Sequence, residues 1–203
     1  MQSVLSNESN SPQTKDAKTF LSMTASTESK NEISASEGEI NSALAADPNY
    51  VPALVARAAI QAERGDSAGA EATYRQVLQR FPDFAPAQRD LAAILVNDPT
   101  KRDAAYDLAT KARRTISGDP LISIVLGRVS YERKDFNRAI QLFQESAREK
   151  PLDARSLYYL GMAQAQAKHK AEAKETLNRA LQAGLGDAEA SEAKRTLADI
   201  GGS

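Results

Sequence analysis

The sequence predicts an all-α protein, a solenoid built from antiparallel helix pairs, and three observations lead there. Aromatic residues make up only 5% of the chain and there is no Trp, so the core must come from closely approached small and aliphatic side chains. Ala, Leu, Gln, Glu, Lys and Arg dominate the C-terminal three quarters, and these residues head the scale of helix propensity. Small, bulky and proline positions recur with a period of 34 or 35 residues, the mark of a repeat architecture.

The period is carried by several series in one register. Pro48 and Pro82 are 34 residues apart, and Pro151 follows after 69 more. Small residues recur at Ala58, Ala92, Gly127 and Gly161, and again at Ala70, Ala105, Ala139 and Ala173. Four positions beyond the second series stand Tyr74, Ala109, Phe143 and Leu177; three further on stand Val77, Ala112, Ser146 and Ala180. Such spacing suits two helices whose backbones approach through small residues. The small residue of the first helix is expected to face the Ala of the second, with Phe143 and its equivalents filling the gap toward the next repeat.

Helix boundaries follow from the turn residues. Pro52, Pro86 and Pro120 fall where a first turn lacks hydrogen-bond partners in any case. Asp119, Asp153 and Asp187 are N-cap candidates, and Gly65 is placed to end a helix in the left-handed conformation. The resulting helices are 52–64, 67–81, 86–97, 101–116, 120–133, 136–149, 154–167 and 170–183. A ninth at 188–200 has Glu189, Glu192, Lys194 and Arg195 on an outer face and Ala190, Ala193 and Leu197 inward, the polar cap that a solenoid end requires.

Leu126-Gly127, Ala139, Phe143 and Pro151 in one repeat, and Leu157, Leu160-Gly161, Ala173, Leu177 and Ala180 in the next, resemble the tetratricopeptide repeat family. The first repeat contributes Leu54, Ala58, Gly65, Ala70, Tyr74 and Pro82. The second departs most: Gln88 replaces a large apolar residue, Ser117 replaces the proline, and its NDPTKRD turn has one extra residue. Arg57 stands where the first repeat should have Leu. The resemblance implies a right-handed solenoid with four clear repeats over 51–187, a degenerate N-terminal repeat over 15–50, and a capping helix and tail at 188–203; the Ser-, Asn- and Gln-rich composition of 1–14 cannot bury a core and predicts a disordered polar tail there. Within the degenerate repeat, 34–46 is expected to be helical.

Composition narrows the function. Lys plus Arg is 26 against Asp plus Glu 27, without the clustered basic excess of a nucleic-acid binder. There is no Cys, which removes thiolate chemistry and zinc–thiolate sites. No apolar run reaches the roughly 18 residues of a membrane span. The first twenty residues lack the basic and apolar regions of a leader, which leaves a cytoplasmic protein, or a periplasmic or membrane-anchored one whose leader has been removed. The single His169 falls in a turn with no second histidine to share a metal. Acidic pairs such as Glu37 and Glu39, or Glu172 and Glu175, sit on solvent-facing segments, whereas acid–base catalysis needs a water-poor cleft. The expectation is no enzyme, no metal and no cofactor.

What remains is a surface. In the family resembled, the first helices line a concave groove that takes a peptide or partner segment, and the chain is expected to be a protein-interaction scaffold. The groove positions read Pro52, Val55, Ala59 and Ala62, then Arg89, Asp90, Ala93 and Val96, then Ile124, Arg128 and Tyr131, then Arg155, Tyr158, Tyr159 and Met162. Arg and Tyr are enriched where interfaces gain most of their affinity, so Arg89, Arg128, Tyr131, Arg155, Tyr158, Tyr159 and Met162 are the candidate contacts for an acidic or aromatic-bearing partner. The basic-and-Asn arrangement by which some family members clamp a terminal carboxylate is absent, its positions being Val55, Ala59 and Asp90. The last two repeats and the AEASEAKRTLADI helix also resemble bacterial envelope and exopolysaccharide-export repeat proteins. That implies, as the alternative, a component of a secretion, pilus or exopolysaccharide assembly system.

Overall fold

The computed structural model describes residues 30–202; the tail expected at 1–14 and the first half of the degenerate repeat lie outside the described residues. Among them the chain is all helical: α1 (Lys30–Ala46), α2 (Val51–Glu63), α3 (Ser67–Arg80), α4 (Ala85–Leu95), a 3-10 turn (Pro99–Lys101), α5 (Arg102–Thr115), α6 (Pro120–Glu132), α7 (Phe136–Glu149), α8 (Ala154–Gln166), α9 (Lys170–Gln182) and α10 (Asp187–Gly201). Expected and observed ends differ by two residues at most from α2 onward. The extra residue of the second repeat sits at the 3-10 turn, where the Asp98 side chain accepts from the Thr100 backbone N–H. The chain divides between Ala87 and Gln88 into two compact units.

In the first unit α2 pairs with α3, and α1 packs on α2. Ile40 of α1 is buried against Ala53 and Ala56, with Tyr50 and Ile60 flanking them. Leu54, Val55, Ala58, Ala70, Tyr74 and Val77 are buried as well. Thr73 Oγ1 donates to Gln61 Oε1 at 2.9 Å across the helix pair, and Arg64 reaches Glu37 of α1 at 2.6 Å.

In the second unit each helix packs on the next, from α5 through α10, with α8 also touching α6 and α10. The small residues of the first helices are needed, but their partners differ from the expectation. A Cβ on Gly127 would lie 3.2 Å from the Phe143 ring, and one on Gly161 would lie 2.7 Å from the Leu177 side chain. The bulky residue of the second helix, rather than its Ala, therefore meets the small residue of the first. Side chains on a helix lean toward its N-terminus, so Phe143 and Leu177 reach back over the preceding turn and fill the pair's own interior.

The capping scheme also extends beyond what the turn residues suggest. Asp119 accepts from the backbone N–H of Leu121 and Ile122, and Asp153 from that of Ser156. Asp66 and Asp135 cap in the same way, through Gly69 and Arg138. Asp187 does not cap: Gly186 occupies the N-cap position and Asp187 is the first helical residue, where its charge complements the helix dipole.

Gly65 has the expected left-handed φ of 81°, but the equivalent turns are made by Lys134 at 61° and Lys168 at 65°. All three close with the same bonds. The residue itself donates to a carbonyl three back, and the next N–H donates five back, to Gln61, Ser130 and Gln164 respectively. A left-handed conformation costs a residue with a Cβ about 1–2 kcal/mol, whereas extra backbone entropy costs Gly about 0.5–1 kcal/mol. Lys134→Gly should therefore raise the unfolding free energy by about 0.5–1 kcal/mol, measured by urea denaturation. A drop in the urea midpoint would show that the lysine side chain makes contacts worth more than the strain.

Candidate functional site

The first-helix face of the second unit holds an ordered polar ladder. Arg89 of α4 contacts Asp90 at 2.7 Å and reaches Asp119, at the start of α6, at 3.3 Å. Burial lowers the Arg89 pKa, but the bonds and fields of Asp90 and Asp119 outweigh it and raise the pKa overall. Asn97, just after α4, is the hinge of the next rung. Its Oδ1 accepts from Arg128 Nη1 at 2.9 Å and from Arg155 Nη1 at 3.1 Å. Its own Nδ2 donates back to the carbonyls of Ala93 and Ile94, which fixes the amide.

The C-terminal rung comes from α10. Glu189 Oε1 accepts from Arg155 Nε at 2.8 Å, and Glu192 Oε2 accepts from the Tyr158 hydroxyl at 2.7 Å. Thr196 Oγ1 donates to Met162 Sδ at 3.4 Å. Each pair is 34 residues apart in sequence, one repeat exactly along, so α10 occupies the place of a further first helix. Glu189 and Glu192 thus reach the α8 side chains on this face, which corrects the expectation for the capping helix, although Glu192 remains exposed as expected.

Four of the predicted contact residues are internal. Arg128 is 8% exposed, Tyr158 5%, Tyr159 9% and Met162 3%. Tyr159 stands edge-on to Tyr131 and Tyr158, with centroids 5.4 and 5.3 Å away, and the Arg128 guanidinium lies 5.1 Å from its ring centre. The expectation that these four present their side chains to a partner is therefore corrected: neighbouring first helices cover them, and they pack the wall beneath the face. The groove positions Val55 and Val96 are likewise buried. Arg155 remains accessible, with 51% of its side chain exposed. Arg89 and Tyr131 are partly buried.

Burial sets the electrostatics of this wall. It pushes the Tyr131 hydroxyl up to about 12, with the charges of Glu192 and Glu132 adding to the effect. It raises Tyr158 further, where the bond to Glu192 also favours the neutral phenol. Burial lowers the pKa of Arg128, whose charge is met by Asn97, the Val96 carbonyl and a ring rather than by a carboxylate among the described residues. His169 sits exposed at the start of α9 without a capping bond. Among the described residues no group of three His, Asp or Glu could hold a metal ion, and no helix is long and apolar enough to cross a membrane.

The arrangement is one of ordered donors and a carboxylate-lined edge. The chain carries tetratricopeptide repeats: family models of that description match residues 130–198, which include α8 to most of α10, and 52–83. No curated protein sequence matches the chain. Among solved structures it resembles MamA at 18% identity, covering 83% of this chain and 91% of that one, with a TM-score of 0.59. YrrB, described as a tetratricopeptide repeat protein with an unusual peptide-binding site, is 17% identical over 79% of this chain and 81% of its own, with a TM-score of 0.60. PilF of Pseudomonas aeruginosa is 17% identical over 92% of this chain and 88% of its own, at 0.63. At these identities the likeness is one of fold.

Asn97 is the residue that sequence reasoning missed. It lies in the irregular turn of the weakest repeat, where the 34-residue register gives no assignment. Glu189 and Glu192 were open to discovery, since adding one repeat to Arg155 and Tyr158 lands on them.

Proposed function

We propose that the chain is a non-catalytic protein-interaction scaffold whose first-helix face in the second unit receives an acidic segment of a partner protein. The observation that supports it is the chemistry already in use there. Arg155 and the Tyr158 hydroxyl are each engaged by a carboxylate from α10, so the face is built to bind carboxylates at helical spacing. Arg155 is the most accessible of these candidate donors, and Tyr131 and Arg89 are partly buried on the same face. Arg128, Tyr158, Tyr159 and Met162 hold these in place from beneath. An acidic partner residue pairs with the open side of Arg155, and guanidinium–carboxylate bonds of this kind are the strong ones.

Truncating a residue that dominates an interface costs at least about 2 kcal/mol, or roughly thirty-fold in affinity. Arg155→Ala should therefore weaken binding of the captured partner by roughly thirty-fold, with helicity unchanged, while Lys174→Ala on the exposed side of α9 should leave it as it is. Equal affinity for the two variants would move the site off this face. A second reading makes the scaffold part of a bacterial envelope assembly. It rests on the resemblance of the last two repeats and α10 to envelope and exopolysaccharide-export proteins, and co-fractionation of the native protein with membranes tests it.

A further inference from the structure

A cavity of about 390 Å³ opens between α5 and α7, with α6 behind it. Its α6 residues Leu126 and Ser130 lie two positions from Arg128, which puts them on the opposite side of that helix from the polar ladder. Arg113, Arg133 and Arg138 converge on it. Leu126, Ser130 and Leu142, all buried, line its inner wall.

The three arginines are unequally occupied. Arg113 uses Nη2 alone for both oxygens of Glu145, at 2.8 and 2.7 Å, and its buried Nη1 has no hydrogen-bond partner. A buried donor left without a partner calls for a ligand, a water or an ion. Arg133 lies 4.2 Å over the Tyr106 ring and pairs with Asp103, whose side chain is 90% exposed, a surface pair of the kind that contributes little and yields easily. The exposed Arg138 side chain makes no hydrogen bond among the described residues, and its charge acts on Glu145. Thr110 and Ser130 add hydroxyl groups to the lining.

We propose that this cavity binds a phosphate monoester, its oxygens held by Arg133 and Arg138 beside the Arg113 guanidinium and its organic part against Leu126, Leu142 and Tyr106. The donors on offer outnumber the two oxygens of a carboxylate and suit the three terminal oxygens of a phosphate, which carries a charge near −2 at neutral pH. The Asp135 carboxylate is the one acid in the lining; its Oδ1 accepts from the Arg138 backbone N–H in capping α7, and its charge is outweighed by the three guanidinium groups. The shared chemistry fits a phosphorylated side chain or small ester and also free phosphate.

The test is a titration of the 15N-labelled full chain with phenyl phosphate and with inorganic phosphate, following the Arg Nε–Hε and Ser130 amide resonances. Saturable shifts at these groups are expected, with phenyl phosphate binding about tenfold tighter because its ring is covered by apolar surface. Equal affinity would assign the site to free phosphate and overturn the ester. Arg138→Gln, an exposed substitution, should weaken binding at least about fivefold through loss of a charge-assisted donor, and Arg148→Gln on the outer side of α7 should not. Shifts that chloride reproduces at equal ionic strength, or an Arg138→Gln variant that binds as well as the parent, would overturn the site and leave a water at Arg113 Nη1.

Discussion

Tyr159→Ala should lower the unfolding free energy by about 3–5 kcal/mol, the range for removing a large buried aromatic. The ring is 9% exposed and sits among Tyr131, Tyr158 and the Arg128 guanidinium. Each aromatic pair is worth about 0.5–1.5 kcal/mol beyond its buried area, and a desolvated cation over a ring about 2 kcal/mol. The larger consequence concerns Arg128. Its Nε already lacks a partner, and without the ring its charge would face a cavity. Tyr159→Phe keeps the ring and should cost less than about 1.5 kcal/mol. Urea unfolding followed by circular dichroism reads both. A loss below about 1 kcal/mol for the alanine variant, the level of an ordinary surface substitution, would mean that the ring is free to meet a partner, as the sequence suggests.

That contrast marks what the sequence could convey. Helix positions were legible because they depend on local chemistry and on a period: proline at a first turn, small residues at close approaches, and a bulky residue four positions beyond Ala139 or Ala173. The face on which Arg128, Tyr158 and Met162 lie was legible for the same reason. What covers that face was not, because coverage is set by the next first helix rather than by the residue's own spacing. The row from Arg155 to Met162 reads as an open end only if the repeats stop at 187. They continue through α10, whose Glu189, Glu192 and Thr196 fall one period on. Asn97 was out of reach for a different reason: it lies in a turn whose extra residue breaks the register. Lys134 and Lys168 were hidden by their type, since a left-handed turn is sought at Gly or Asn.

The expected result for Phe143→Ala is a loss of about 3–5 kcal/mol, and its coupling to Gly127 is the sharper measurement. Phe143 is fully buried, and its ring atoms would stand 3.2–3.3 Å from a Cβ at position 127. Alanine gains about 1 kcal/mol over glycine inside a helix. In the parent protein that gain is offset by a ring pushed aside by a few tenths of an ångström, so Gly127→Ala should lie within about 1 kcal/mol of neutral. With Phe143 already truncated the crowding disappears, and the same substitution should stabilise by about 1 kcal/mol. Residues in direct contact couple by about 0.5–3 kcal/mol in such a cycle. Gly161 supplies the contrast. There a Cβ would lie 2.7 Å from two Leu177 side-chain carbons and 3.2 Å from its backbone nitrogen. The helix backbone cannot swing away as a ring can. Overpacking of about 1–3 kcal/mol then exceeds the helical gain, and Gly161→Ala should be destabilising on balance. Additive changes at Gly127 and Phe143, or equal losses from the two glycine substitutions, would show that the helices of a pair do not meet through these residues.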